Sequence, residues 1–332
     1  MEHSILNQAF KTACKSLCDF CEYPAVQYNI LFRLLGMPYD SAEVSALRED
    51  FLASDIVSEL CDEQDIHGGW GALQSKDYSA KAKFPTSLVA INRALYIGLA
   101  PSDRNILSFA AEYLEAFLTG DSIEKFRATN ERVIPWNTAT VCTALEGIAP
   151  NNPLCDDTFN KWLYIADRAY ESGEYSYERE RFAQHEVFWT HEERLVPMQI
   201  GLLLKRREQI PEQLEHSMLL HHGEHAYHNG HFWTECPAKL PQEFVYNKTR
   251  RWFHSFNYIN QFRGSEAYLE HVVDWLFANQ NQDGLWDFGP QIKDPWGYFG
   301  YFSLTRKYAH NRVVDCSMEV LSFLKKYIEN NF

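Results

Sequence analysis

Three groups of residues in this 332-residue chain have types and spacings that could do chemistry. The first is Cys14, Cys18 and Cys21, with Phe20 beside the last. As thiolates these three would hold an iron–sulfur cluster. The same i, i+4, i+7 spacing is also one face of a helix, which free cysteines fill well as small apolar groups. The second is His222, His225, His228 and His231, every third residue, beside His221 and Glu224. On a helix His222 and His225 would reach one zinc ion. A helix ending near Gly230 keeps the four histidines off a common face, so a solvated helix end without metal is expected. The third group is dispersed. It holds His185-Glu186 with Trp189, His191 and Glu192; Trp136-Asn137; Tyr246, Lys248, Arg250 and Trp252; and Arg312 with Asp315. Aromatic faces mixed with acids, imidazole and guanidinium suit stabilisation of a cation or stacking of a sugar. His185, Glu186 and Asp315 are the candidate catalytic groups. Trp136, Asn137, Trp189, His191, Tyr246, Arg250, Trp252 and Arg312 are the candidate binding groups. Their structural counterpart is plain: charges at helix starts cap, and aromatics at helical spacing fill cores.

The elements that would gather these residues are helical. Periodic apolar runs, Pro starts and Gly stops place helices at about 3–20, 24–35, 43–63, from Pro85 onward with Leu88, Ile91 and Leu95 on one face, then at 102–118, 135–148, 156–171, 185–206, 211–226, 246–262, 265–281 and 312–329. That is twelve helices in six consecutive pairs, with no convincing strand. Two connections share a motif, Gln64-Asp65-Ile66-His67-Gly68-Gly69-Trp70 and Gln280-Asn281-Gln282-Asp283-Gly284-Leu285-Trp286. In each, the Gln amide can bond the last helix carbonyls, Gly supplies a left-handed turn, and Trp covers the neighbouring helix. Turn glycines recur at 68, 120, 173, 230 and 284, at intervals of 52, 53, 57 and 54 residues. A period near 54 suits a helix pair plus one irregular connection. Six such hairpins make an open solenoid or a closed ring, and the Gly-Trp turns favour the ring. The expected fold is an all-α, α6/α6 toroid, one domain over 1–332, with the second helix of each pair in the inner layer.

Bulk properties narrow the partners. A hydrophobic content of 45% with 15% aromatics is enough for a large core, and no apolar run approaches the ~20 residues that span a bilayer. The formal charge of −14 argues against nucleic acid and anionic membranes. Met1-Glu2-His3-Ser4 lacks the basic start and apolar core of a signal peptide. Eight scattered cysteines fit a reducing compartment, so a cytoplasmic protein without cofactor is expected.

The Gln-x-x-x-Gly-x-Trp repeats resemble those of squalene and oxidosqualene cyclases, and the size and pairing resemble protein prenyltransferase β subunits. Pro24-Ala25-Val26-Gln27-Tyr28 with Leu34-Leu35-Gly36, followed by the Gln64 turn, is similar to small bacterial prenyltransferase/squalene oxidase repeat proteins. The resemblance covers nearly the whole chain and implies a toroid with a central pocket for an apolar, isoprenoid-type substrate. The acids of such cyclases have no match here. Trp136 and Asn137 stand where the D-x-D-D motif would begin, which leaves no proton donor for an alkene. Asp156-Asp157-Thr158-Phe159-Asn160 falls one residue short of D-D-x-x-D and reads as acids at a helix N-terminus. Asp315-Cys316 lacks the spacing of the prenyltransferase zinc site. A carbohydrate-active toroid using Glu186 and Asp315, and a non-catalytic binding toroid, are the other two readings.

Overall fold

A computed structural model of the chain describes residues 3–73, 84, 86–120, 134–189, 197–225, 227–228, 233–234, 236, 239–241, 244, 246–290, 302 and 308–332. Among these the chain is all-α. Fourteen α-helices carry it: α1 His3–Phe20, α2 Pro24–Tyr28, α3 Ala42–Ala53, α4 Asp55–Glu63, α5 Ser87–Tyr96, α6 Ile106–Thr119, α7 Ile134–Ile148, α8 Asp156–Ala169, α9 Tyr177–Phe188, α10 Pro197–Lys205, α11 Glu212–Glu224, α12 Tyr246–Ile259, α13 Glu266–Ala278 and α14 Ala309–Asn331. The sole β pairing among the described residues is a two-residue antiparallel ladder, Tyr227–His228 against Trp233–Thr234. No described helix is long and apolar enough to cross a membrane.

The helices gather into two compact units, Met1–Glu59 with His222–Phe332, and Leu60–His221. In the first, α1 and α13 both pack on α14, α2 on α3, and α12 on α13. In the second, α7 touches its chain neighbours α6 and α8 and also the more distant α5 and α10. Successive and non-successive helices therefore pack together.

Local chemistry sets the boundaries. Leu6, Phe10, Ala13, Cys14 and Leu17 put the buried stripe of α1 at helical spacing. Asn29 opens a π-helical segment, Asn29–Leu34, by donating to the Ala25 carbonyl at 2.7 Å and accepting from Arg33 at 2.8 Å. The single helix expected over 43–63 breaks at Ser54, whose backbone is extended and whose hydroxyl donates to Phe51 O at 2.5 Å. The helix expected over 185–206 is also two. α9 starts earlier because the Ser176 hydroxyl accepts from Arg179 N. It stops at Trp189, which takes a left-handed φ of 56°, and α10 begins afresh at Pro197.

The two Gln turns match bond for bond. Gln64 Nε2 donates to Gly68 O at 2.9 Å, and Gln280 Nε2 to Gly284 O at 2.6 Å. Asp65 N donates to Gly69 O, and Asn281 N to Leu285 O, both at 2.8 Å. The Asp65 and Asn281 side chains each accept two backbone N–H groups, from His67 and Gly69 and from Asp283 and Leu285. Each indole Nε1 donates to the carbonyl ten residues before it, Trp70 to Leu60 at 3.0 Å and Trp286 to Leu276 at 2.7 Å. Each Trp backbone N–H donates to a serine on a later helix, Ser87 at 2.8 Å and Ser317 at 3.0 Å. The Asx hub and the serine belong to the motif as much as Gln, Gly and Trp do.

The worn copies differ from expectation. Gly173 keeps the left-handed φ (85°) and the backbone bond to the residue three before it, and Tyr175 takes the Trp position. The Tyr175 hydroxyl donates instead to the buried Glu180 at 2.5 Å. Gly120 is a correction: its backbone is extended, with φ −103°, so it closes α6 without a left-handed turn. Gly230 lies outside the described residues.

Arg206, just past α10, ties three helices of the second unit. It donates to Glu146 of α7 through Nε (2.9 Å) and Nη2 (2.5 Å), to Asp156 of α8 through Nη1 (2.6 Å), and to the Asn152 carbonyl (2.6 Å). The other Glu146 oxygen accepts from Asn151 N at 2.7 Å, so the buried carboxylate is satisfied on both sides. Burial opposes the guanidinium charge, but Glu146 and Asp156 outweigh it and hold the proton more firmly than usual.

The seats of the two turn glycines are unequal. A Cβ on Gly68 would overlap the Phe109 carbonyl of α6, whereas one on Gly284 would meet Ser16 Oγ at 3.7 Å. Gly284→Ala should cost only the left-handed backbone penalty of about 1–2 kcal/mol. Gly68→Ala should cost at least about 2 kcal/mol more, as backbone must move. Urea melts of the two variants check this, and equal losses would contradict it.

Candidate functional site

The richest concentration of rings is in the first unit. α12 supplies Trp252, Phe253 and Phe256, whose i, i+4 spacing puts Trp252 and Phe256 on one face at 6.0 Å between centroids. Phe244, just ahead of α12, lies 5.0 Å from Trp275 of α13 and 5.0 Å from Phe288, which follows the second Gln turn. Phe253 touches Phe288 at 5.5 Å and Phe323 of α14 at 5.6 Å. Trp275 stands edge-on to Phe256 at 6.4 Å. Phe253, Phe256, Phe288 and Phe323 are buried, while Phe244, Trp252 and Trp275 are half-buried at the edges of the cluster. Tilted and edge-on rings at these distances contribute about 0.5–1.5 kcal/mol per pair beyond area burial.

Charged residues flank the cluster. Asp287, the residue before Phe288, accepts from Arg312 Nε and Nη2, both at 3.1 Å, a two-pronged pair. One turn further along α14, the fully buried Asp315 accepts from Phe302 N at 2.9 Å. Of the predicted residues, Trp252, Arg312 and Asp315 lie in this unit with described side chains. Tyr246, Lys248 and Arg250 are on α12, with side chains outside the described residues.

The other predicted residues are in the second unit, except His191 and Glu192, which lie outside the described residues. His185 and Glu186 are exposed on α9. Glu186 accepts from the Tyr164 hydroxyl of α8 at 2.9 Å, and that hydrogen bond pushes the Tyr164 phenol up. Trp189 is 84% exposed, with the His185 ring 6.1 Å away. Trp136 and Asn137 sit in the first turn of α7, Asn137 buried and Trp136 half-buried. Phe244, Phe256, Trp275 and Asp287 were not singled out from the sequence. The spacing of Phe256 from Trp252 and the place of Asp287 beside the Trp286 turn were the available signals.

The two metal candidates resolve differently. His222 is buried, edge-on to Tyr258 at 5.4 Å and stacked over Phe262 at 6.5 Å, so it is a core histidine rather than part of a solvated helix end. Cys14 and Cys21 are fully buried and Cys18 partly so. Burial pushes the Cys14 thiol up to about 12 and the Cys18 and Cys21 thiols up to about 11. They are neutral core thiols at neutral pH. Among the described residues no group of three His, Cys, Asp or Glu is placed to hold a metal ion. The Asp156-Asp157 pair serves local salt bridges, to Arg206 and to Lys161 respectively.

No family model, no curated protein and no solved structure matches the chain.

The thiols set an alkaline limit on stability. Their pKa values are raised on folding, so the unfolded chain releases protons first as pH climbs past about 9. Stability should be level from pH 7 to 8.5, then fall between 9 and 11. Thermal melts across this range check it, and Cys14→Ala should flatten the decline. A melting temperature unchanged at pH 11 would contradict it.

Proposed function

We propose that this chain is a helical-repeat protein that holds an apolar, isoprenoid-type small molecule against the aromatic cluster of its first unit. The observation that carries the reading is the half-buried edge rings Phe244, Trp252 and Trp275 laid on buried Phe256 and Phe288. Such rings offer faces and edges to an apolar or cationic guest while their floor is already closed to water. The likeness of the Gln turns to those of squalene cyclases supports the same ligand class. In this reading the hairpins are those of an α/α toroid. No reaction step is assigned, since Glu186 and Asp315, the candidate acids, each already accept a hydrogen bond from the protein. The test is organic extraction of purified protein followed by mass spectrometry of the released material. An isoprenoid or related lipid near one per chain is expected, and Trp252→Ala should lower its affinity about tenfold, or ~1.4 kcal/mol. An empty wild-type extract, or full retention by a folded Trp252→Ala variant, would overturn the reading.

A second reading, a carbohydrate-binding or carbohydrate-active protein, is favoured by α9. Phe182, His185, Glu186 and Trp189 are all exposed at i, i+3, i+4 and i+7, and Tyr164 joins them through Glu186. An open indole beside a carboxylate is chemistry that stacks and hydrogen-bonds a sugar. Neutral glucan oligosaccharides titrated into the protein should quench tryptophan fluorescence, and Trp189→Ala should abolish the response. No response from the wild type would end this reading.

A further inference from the structure

The two Gln turns match in their own bonds but differ in what lies against them. At the first, Gln64 Nε2 donates to Gly68 O and also to the carbonyl of Ile106, the first residue of α6, at 2.9 Å. The backbone of α6 closes over that turn, with the Phe109 carbonyl seated against Gly68. At the second turn the neighbouring element is α1, which presents side chains rather than backbone. Ser16 Oγ, not a carbonyl, is what a Cβ on Gly284 would meet. Gln280 Nε2 donates to Gly284 O and has no second acceptor among the described residues.

The difference leaves a groove of about 500 Å³ between α1 and the second turn. Its lining includes Ser4, Gln8, Ala9 and Ser16 of α1, with Gln280 and Gly284 opposite. From Ser4 to Ser16 the helix rises about 18 Å, the length of roughly five extended residues. The Gln8 amide and the Ser4 and Ser16 hydroxyls are open to a ligand, with no hydrogen-bond partner among the described residues. Lys11 and Lys15 follow Ser4 by seven and eleven residues and so share its side of α1. Both lysines are exposed, and neither is ion-paired among the described residues. α1 holds one acid, Asp19, whereas the whole chain has 45 acids against 31 bases. This face is therefore a basic strip on an acidic protein.

We propose that this groove binds an extended, acidic peptide segment of a partner protein. The precedent is internal to the chain. The Gln64 amide already binds a main-chain carbonyl from outside its own turn, and Gln280 offers the same donor to the groove. An extended segment has carbonyls that no helix has claimed, so one of them takes the Gln280 N–H. Ala9 and Gly284 are small enough to let its main chain approach, and the Gln8, Ser4 and Ser16 side chains bond further peptide groups. Its carboxylates pair with Lys11 and Lys15, which select the charge of the partner. The groove shares no lining residue with the aromatic cluster, so the two sites stand or fall separately.

The test is fluorescence anisotropy of the full-length protein with short fluorescein-labelled peptides of alternating Glu and Thr, Ser and Thr, or Lys and Thr. The Glu-Thr peptide should bind saturably, the Ser-Thr peptide about tenfold more weakly, and the Lys-Thr peptide not at all. Lys11→Glu combined with Lys15→Glu should weaken the Glu-Thr peptide by at least about tenfold. Ala9→Trp fills the groove without changing a charge and should abolish binding. Ser4→Trp, at an exposed position, replaces it if circular dichroism shows Ala9→Trp unfolded. No binding by the wild type, or equal binding of all three peptides, would overturn the proposal. So would full binding by a folded tryptophan variant, which leaves only surface charge as the cause. A dimer in sedimentation that Ala9→Trp splits would assign the groove to a second copy of the chain and overturn it as well.

Discussion

The hydrogen bond from each motif indole to the carbonyl ten residues earlier is the constraint on which the helix connections depend. A helix end leaves carbonyls without partners, and burying them unpaired costs about 1–3 kcal/mol each. Trp70 and Trp286 meet that need with a large apolar side chain that also fills the adjoining core. The indole can point back only because Gly68 or Gly284 reverses the chain with a left-handed backbone. The Asp65 or Asn281 carboxyl or amide oxygen then gathers the N–H groups freed by that reversal. A serine on a later helix takes the Trp backbone N–H, so a local turn also fixes the position of an element distant in sequence.

Where the motif is worn, its bonds are replaced. At the Gly173 turn the aromatic position is Tyr175, whose hydroxyl is committed to Glu180 rather than to a helix carbonyl. Glu180 also accepts from Gln184 at 2.6 Å, so the buried carboxylate there has its own partners. The Arg206 network does similar work between α7 and α8. Both arrangements place charge in the interior where each charged oxygen has a named donor, the condition under which buried ions persist.

The polar groups expected to do chemistry divide according to what surrounds them. Asp315 is buried among α14 core residues and serves a backbone amide, while Arg312 is matched by Asp287. His185, Glu186 and Trp189 stand on an open helix face. The aromatic cluster in the first unit therefore outranks the acids as the basis for a functional reading.

The all-α class, most helix positions and the equivalence of the two Gln turns were legible in the sequence, because 3.6-residue periodicity and a left-handed glycine are local properties. Local information failed where a cap or a single backbone residue decided the outcome, as at Ser54, Ser176 and Gly120. Tertiary structure alone decided which serines complete the turns, since Ser87 follows Trp70 by 17 residues while Ser317 follows Trp286 by 31. It alone made Phe244 and Trp275 neighbours and buried His222 among rings. Each of those outcomes depends on which helix faces meet, and packing between faces leaves no fixed spacing in the chain.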